Sequence, residues 1–228
     1  TLSEVLITLG IIGVVASITL PAMIANFQKN VLTKQFLKAY NILQNGFLKT
    51  ENDLGYIPEC YYCDEVDNCN RTGSNYENEC RVLLSQLRKN LSVIKECKGN
   101  ALKNGCIPAY KGNDEIFQAE NPDATDEEIQ DSITGCNGFS KTAIHNDNNV
   151  WILADGTILT WYSSETKWPL FLIDVNGQKG PNKWGYDVFP FQIYSSMGKN
   201  ITVKGVSCGR NIEKGGVSTS QMIINAYK

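Results

Sequence analysis

Eight cysteines are the most reactive side chains of this 228-residue sequence, and thiols in such number form either disulfides or a metal site. Cys60 and Cys63 have the C-x₂-C spacing of a zinc ligand pair. Zinc would need a second close pair or a pair of histidines, whereas His145 is the only histidine. An even cysteine count in an exported domain favours disulfides. The predicted disulfide cysteines are Cys60, Cys63, Cys69, Cys80, Cys97, Cys106, Cys136 and Cys208.

The pairing of these cysteines stays open, because eight cysteines allow a large number of connectivities. The short intervening loops favour Cys69–Cys80 and Cys97–Cys106. A third pair, Cys136–Cys208, would tie the C-terminal part of the chain to its middle.

Asp174, Asn176 and Asp187 form a second group with possible chemistry, since carboxylate and amide oxygens are ligands for Ca²⁺. The EF-hand pattern is absent, because it would need Gly at position 179 and an acid at position 185, where the chain has Lys179 and Gly185. A turn-forming loop rich in Gly, Pro and Asn is the favoured interpretation. Calcium at these three residues is kept as the alternative, and no other cofactor is predicted.

Glu4 precedes 24 residues, 5–28, that carry no charged side chain. As an α-helix this run would reach about 36 Å, enough to cross the roughly 30 Å hydrocarbon core of a bilayer. A plain membrane anchor and a leftover signal peptide are the simplest interpretations. A signal peptide should begin with basic residues, but no Lys or Arg precedes Lys29. Without a starting Met, we expect a chain that has been cut upstream.

The opening residues, TLSEVLITLGIIGVVASITLP, resemble the N-terminal segment of type IV pilins and of type II secretion pseudopilins. Thr1, Leu2, Glu4 and Pro21 match that family's pattern if the N-methylated first residue of the mature protein is missing. The resemblance covers about 30 of 228 residues. It implies a subunit that is processed by a prepilin peptidase and then assembled by an inner-membrane platform into a homo-oligomeric helical filament.

The resemblance also implies a role for Glu4, whose carboxylate would pair with the N-terminal amine of a neighbouring subunit and set the register of assembly. A carboxylate near the membrane centre costs at least about 2.5 kcal/mol, so a partner or a role is expected on physical grounds as well. An acid lying at the membrane interface is the alternative.

Gly13 and Pro21 bound a stretch with weak helical preference, because Pro lacks a backbone donor and Gly and β-branched residues are poor helix formers. In a bilayer the backbone must stay hydrogen-bonded, so a helix is expected there. The resemblance implies that this stretch unwinds in an assembled fibre. We therefore expect a non-helical segment between Gly13 and Pro21 in the filament.

The orientation follows from the cysteines. Lys29, Lys34 and Lys38 after the apolar run would by themselves place the following domain in the cytoplasm. Disulfides require an oxidising compartment. A basic leader, implied by the resemblance and removed, would resolve the conflict. The expected location is the inner membrane with a periplasmic domain, followed by an extracellular pilus.

The predicted fold is α+β. Residues 1–53 should form one helix, with 1–28 in the membrane or filament core and the rest amphipathic, and residues 54–228 should form a disulfide-rich globular head. We expect a loop over 55–79, a helix over 80–98 capped by Gly99, and a short acidic helix near 123–131 with a Thr125/Glu128 capping box. An antiparallel sheet of four or five strands should span about 150–206. It begins with a hairpin at Asp155-Gly156 and continues with strands near 168–174, 187–194 and 201–206. Ser218 with Gln221 should cap a closing helix over 221–227.

Enzyme motifs are absent from the sequence: there is no P-loop, no G-x-G-x-x-G and no H-E-x-x-H, and His145 has no evident nucleophilic partner. The net charge of −3 argues against a nucleic-acid-binding surface. We therefore expect no enzymatic activity and a structural pilin. The alternatives are a pseudopilin of a type II secretion system and a minor pilin or adhesin with a binding head. Adhesion, motility or secretion would follow from the choice among them.

Overall fold

The structure, a computed structural model, describes residues 2–56, 76–162, 170–194, 202–206 and 212–228, leaving aside the side chains of 76–80 and 194. Its helices within these ranges are α1 (Leu2–Leu54), α2 (Tyr76–Asn90), α3 (Asn113–Glu120), α4 (Asp126–Ser132) and α5 (Thr219–Ala226). Its strands are β1 (Val93–Lys98), β2 (Asn149–Leu153), β3 (Ile158–Tyr162), β4 (Leu170–Asp174), β5 (Val188–Tyr194) and β6 (Thr202–Gly205). A long apolar helix followed by an antiparallel sheet confirms the α+β class.

Helix α1 has two halves with different surroundings. Residues 2–30 are exposed apart from half-buried Ala16, so this projecting half has no core to pack on among the described residues. From Phe36 onward, side chains three or four positions apart are buried, as expected for one face of a packed helix: Phe36, Ala39, Leu43, Gly46, Phe47 and Thr50. Gly55, with φ of 72°, then ends the helix by donating its N–H to the Glu51 carbonyl at 2.9 Å.

The sheet has its six strands in chain order, and every neighbouring pair is antiparallel. The predicted hairpin is confirmed: β2 pairs with β3 around Asp155-Gly156, where Gly156 adopts φ of 89° and the Asp155 carboxylate accepts from Thr157 N–H at 3.1 Å. Neighbouring strands are also consecutive in the chain, although the connection from β1 to β2, residues 99–148, is long and contains α3 and α4.

Both faces of the sheet are covered. One face packs on α1, α2 and α5 through a cluster that includes Phe36, Phe47, Leu87, Phe171 and Met222. The other face packs on the irregular segment before β2 through a second cluster that includes Tyr110, Phe139, Ile144, Leu172 and Trp184. Strand β4 is buried along its whole length because it lies inside the sheet and between these two layers.

The predicted helix over 80–98 is wrong in its second half. Helix α2 ends at Asn90, and residues 93–98 form the edge strand β1, paired with β2. Ser92 adopts φ of 51° between them, and its carbonyl accepts from Ala154 N–H at 3.2 Å. The apolar spacing that suggested a continuing helix fails at Ile94, which is 68% exposed. Gly99 consequently follows a strand and does not cap a helix.

Other elements differ from the prediction in smaller ways. The sheet has six strands instead of four or five, because β1 joins its edge. Helix α2 begins at Tyr76, inside the predicted loop, and residues 57–75 of that loop lie outside the described ranges. Helix α3 was not predicted, since Asn113–Glu120 holds little apolar periodicity. The predicted strand at 168–174 is observed from Leu170 onward, and that at 201–206 from Thr202.

Two predicted caps are present. Thr125 accepts from Glu128 N–H and the Glu128 side chain returns to Thr125 N–H, which is the expected capping box of α4. Ser218 accepts from Gln221 N–H at 3.1 Å and starts α5. Helix α5 then buries Met222 and Ala226 against α1 and the sheet.

Candidate functional site

The projecting half of α1 is the most unusual surface of the described protein. Large apolar side chains along it are more than half exposed, among them Leu6, Ile7, Ile12, Ile18, Met23 and Phe27. Helix α1 is long and apolar enough to cross a membrane. Its most apolar 18-residue stretch has a mean hydropathy of 2.3, and none of the residues in that stretch is buried. A signal sequence near an N-terminus can have the same length and apolar composition. Apolar surface on this scale marks a site of contact with lipid or protein.

The polar side chains of this half are accommodated within their own helix. The hydroxyls of Thr8, Ser17 and Thr19 donate to backbone carbonyls three or four residues earlier, at 2.9, 2.8 and 2.9 Å. Their donors are therefore satisfied without water, which suits an apolar environment. Glu4 lies in the first turn of the same exposed segment, where a carboxylate interacts favourably with the helix dipole.

Pro21 lies inside α1, which is helical on both sides of it. Adding a Cβ at Gly10 or Gly13 would meet no atom within 4 Å, so the backbone there is open to close approach by another helix. The expected unwinding between Gly13 and Pro21 concerns the assembled fibre, and it stays a prediction.

The cysteines fall partly within the described ranges. The predicted Cys97–Cys106 disulfide is confirmed, and both residues are buried. Cys136 is also disulfide-bonded, while its predicted partner, Cys208, lies outside the described residues. Cys60, Cys63 and Cys69 lie outside them too, and Cys80 belongs to α2 with its side chain undescribed. The pairings Cys69–Cys80 and Cys136–Cys208 stay predictions.

The three predicted calcium ligands come together in one loop between β4 and β5. Asp174 is 2% exposed and Asp187 is fully buried. One Asp174 oxygen accepts from the N–H groups of Asn176 and Gly177 at 3.0 and 2.8 Å, and the other accepts from the Tyr110 hydroxyl at 2.7 Å. The loop therefore folds around its own carboxylates.

Asp187 closes the same loop from its other end. Its two oxygens accept from the backbone N–H groups of Asn182 and Lys183 at 2.8 and 2.7 Å. Asn182 adopts φ of 55°, a left-handed conformation that Asn tolerates better than most residues. The sequence did not predict Tyr110 or Asn182 as part of this site. Tyr110 lies 64 positions from Asp174, so no local pattern connects them. Asn182 could have been suggested only by the Gly, Pro and Asn content of the loop.

Burial dominates the electrostatics of the loop. It raises the pKa of Asp174 to about 7, against hydrogen bonds from Tyr110 and the loop backbone, and the charge of Asp187 adds to the rise. Burial also raises the pKa of Asp187, and burial with the Asp174 charge raises the pKa of Tyr110. Because both carboxylates are buried and near each other, the free energy of having both charged at once is unfavourable.

The fit of this loop to a cation is mixed. The Oδ1 atoms of Asn176 and Asn182 are buried and have no hydrogen-bond partner, which suits oxygen ligands awaiting a hard cation. Both carboxylates, however, already accept several N–H or O–H donors. In the described part of the chain, no three His, Cys, Asp or Glu residues are grouped as metal ligands. Asp174, Asn176, Asn182 and Asp187 are the residues that could hold Ca²⁺.

His145 is buried, and its Nε2 lies 3.0 Å from the Tyr110 carbonyl oxygen. It belongs to a short π-helix, Ala143–Asp147, whose carbonyls also receive the N–H groups of Asn100 and Leu102. These contacts give His145 a role in packing the second cluster.

Comparison with known proteins returned no matching family model, no curated relative and no similar solved structure.

Proposed function

We propose that this chain is a pilin, a structural subunit of an extracellular type IV pilus-like filament. The observation that carries the proposal is helix α1: a single helix of 53 residues with one half packed on a folded head and the other half apolar and exposed. A helix of this form can stay in a bilayer before assembly and pack among identical helices afterwards. The resemblance of the opening residues to pilins supports the same reading.

In this proposal the apolar halves of many subunits bundle in the fibre core, and the heads form the outer surface. Prepilin peptidase, an inner-membrane assembly platform and identical subunits are the partners, and the chain itself catalyses no reaction in this proposal. The inner membrane with a periplasmic head is the location before assembly. A pseudopilin of a type II secretion system and a minor pilin or adhesin would use the same helix.

Glu4 is the residue on which assembly should depend most. Pairing between its carboxylate and the terminal amine of a neighbour would take place in the apolar core, where a misplaced neighbour would leave both charges buried without a partner. The pair would therefore select one axial register.

Electron microscopy of cells that produce Glu4→Gln tests this proposal. We expect the variant to stay in the membrane and its filaments to be lost or strongly reduced. Thr8→Ala is a matched control in the same segment, because the Thr8 hydroxyl bonds only to its own helix among the contacts described; its filaments should be normal. Normal filaments with Glu4→Gln would refute the register pair, and absence of fibres containing the unaltered chain would refute the major-pilin function in favour of a minor pilin or pseudopilin.

We further propose that Ca²⁺ can brace the loop between Asp174 and Asp187. The buried, unpartnered Oδ1 atoms of Asn176 and Asn182 favour this second proposal. When bound, the cation would offset the repulsion between the two carboxylates. Thermal melting with Ca²⁺ or chelator should show a higher Tm with Ca²⁺, and Asp187→Asn should lose that shift. An equal Tm in both buffers would mean that the loop closes through its own hydrogen bonds.

A further inference from the structure

Charge is strongly segregated in the head. Residues 112–140, which contain α3 and α4, hold eight acidic residues and no Lys or Arg. Their local charge is −8 against −3 for the whole chain, so the remainder carries a net charge of +5. We call this segment the acidic surface.

The acidic surface contains an open groove of about 670 Å³ between α3 and α4. Phe117, Pro122 and Ala124 supply its apolar part, and Asp123, Glu128 and Asp131 supply carboxylates. Glu128 is held in place by the N–H and hydroxyl of Thr125 at 2.8 and 3.0 Å, which lowers its pKa and keeps it charged. A complementary ligand would combine positive charge with exposed apolar side chains.

Such a surface exists elsewhere on the same chain, at the edge strand β1. Residues 88–103 carry five basic residues and one acid, a local charge of +4. Lys95, Lys98 and Lys103 are exposed, as are the apolar side chains of Ile94 and Leu102, at 68% and 37%. We call this the basic edge.

The basic edge is rigidly built. The Cys97–Cys106 disulfide ties the end of β1 to the following turn, and the register of β1 against β2 shifts between Val93 and Lys95. Bulges and lysines on an edge strand discourage indiscriminate strand pairing. A partner that recognises this edge should therefore use side-chain charge and shape.

The two surfaces do not neutralise each other within one described chain: no ion pair there joins Lys95, Lys98 or Lys103 to an acid of residues 112–140. We propose that the acidic surface of one copy docks on the basic edge of the next copy. This inference rests on the proposed filament function and names a contact between heads that adds to the contact between α1 helices. Between neighbours related by the helical symmetry of a filament, a contact between two different patches is heterologous and repeats along the fibre.

A single such contact should be weak. Exposed ion pairs contribute about 0–1 kcal/mol each, and stable complexes bury roughly 800 Å² per partner. Repetition along a filament, where the helices already hold neighbours together, makes a weak contact effective.

The test uses the full chain in detergent, with a mixture of ¹⁵N-labelled and unlabelled copies. A carbodiimide, which joins Lys directly to Asp or Glu, should yield mixed-isotope crosslinks between the basic edge and the acidic surface. Reversal of either side, by Lys95→Glu with Lys98→Glu or by Asp123→Lys with Asp131→Lys, should reduce their yield about tenfold, equivalent to roughly 1.4 kcal/mol. Mixing the two reversed chains should restore the crosslink yield, because the new Glu residues on the basic edge of one chain would meet the new Lys residues on the acidic surface of the other.

The control is Lys179→Glu with Lys228→Glu, which makes the net charge more negative by the same amount as Lys95→Glu with Lys98→Glu, at exposed positions off both surfaces. Equal crosslinking in the reversed and control chains, or crosslinks confined to single copies, overturns the proposal. The crosslinking readout does not depend on filaments. Crosslinks in the absence of fibres would contradict the filament function and support the contact between heads. Fibres that form equally well with both reversals would show that the contact is not used in the filament.

Discussion

Asp174 is a buried carboxylate whose surroundings oppose its charge. It accepts three hydrogen bonds, yet burial and the nearby Asp187 still raise its pKa to about 7. The ordinary Asp pKa of about 3.9 applies to the unfolded chain. The folded state therefore binds more protons than the unfolded state between about pH 4 and pH 7. The stabilisation from the protonated form is complete below that range and is lost as pH rises through 7.

Because stability should fall as pH rises through 7, removal of the Asp174 charge by Asp174→Asn should reduce this pH dependence. In calcium-free buffer, the free energy of unfolding of the unaltered chain should fall between pH 5 and pH 8 by at most about 3 kcal/mol, because about two pH units of this range lie below the folded pKa at about 1.4 kcal/mol each. Asp174→Asn keeps an acceptor for Asn176 and Gly177 and removes the charge, so its stability should change much less over this range. Urea titrations at several pH values measure both. Parallel curves for the two chains would contradict the assignment.

Buried Gly46 marks a close approach of α1 to the C-terminal end of α2 and to Leu91, which follows it. A Cβ at this position would lie 2.5 Å from Leu91 Cδ2 and 3.2 Å from its Cγ, and Leu91 is itself buried. Glycine is unfavourable inside a helix by about 1 kcal/mol, so its presence here is explained by packing. The polar contacts from Asp53 to Gln86 and Asn90, at 2.8 and 3.0 Å, complete the same helix pair.

Gly46→Leu should therefore destabilise the protein by about 1–3 kcal/mol, because the overpacking strain exceeds the gain in helix preference. Asn45→Leu adds the same side chain at the neighbouring exposed position and should change stability by less than about 0.5 kcal/mol. Urea midpoints for the two variants give the comparison. A stable Gly46→Leu chain would show that α2 can move away from α1.

The free edges of the sheet are handled by different elements. At β6, the Val203 N–H donates to Gln44 at 3.0 Å and the Val203 carbonyl accepts from Tyr40 at 3.1 Å, so α1 side chains occupy that edge. At β1, charge and a shifted register take this role. Since side chains of α1 already bond to the β6 edge, we propose the docking contact at the β1 edge.

At the scale of the whole molecule, α1 joins a half that packs on the head to a half that is exposed, and we propose that only the exposed half serves assembly. Residues 29–228 contain both core clusters. We predict that this truncated chain melts within a few degrees of the full chain in detergent, because the exposed residues contribute little to the core and 1 kcal/mol corresponds to about 2–4 °C in a domain of this size. It should also stay in the aqueous phase on detergent phase partitioning, whereas the full chain enters the detergent phase.

A large loss of Tm on truncation would mean that the projecting half of α1 contributes to the fold of the head. Entry of the truncated chain into the detergent phase would locate membrane affinity in the head. Either result contradicts the division of roles.

The sequence by itself determined the elements whose causes are local. The uncharged run after Glu4 and the period of three or four from Phe36 predicted α1, Asp155-Gly156 predicted the hairpin, and Thr125 with Glu128 predicted the cap of α4. Only the tertiary structure decided what depends on distant partners. Residues 93–98 became a strand because β2 offered a hydrogen-bonding edge. The pKa of Asp174 is raised because its carboxylate is buried, and the charge of Asp187 adds to the rise. The same folding left the apolar residues 2–30 of α1 exposed, because the described head packs on this helix only from Phe36 onward.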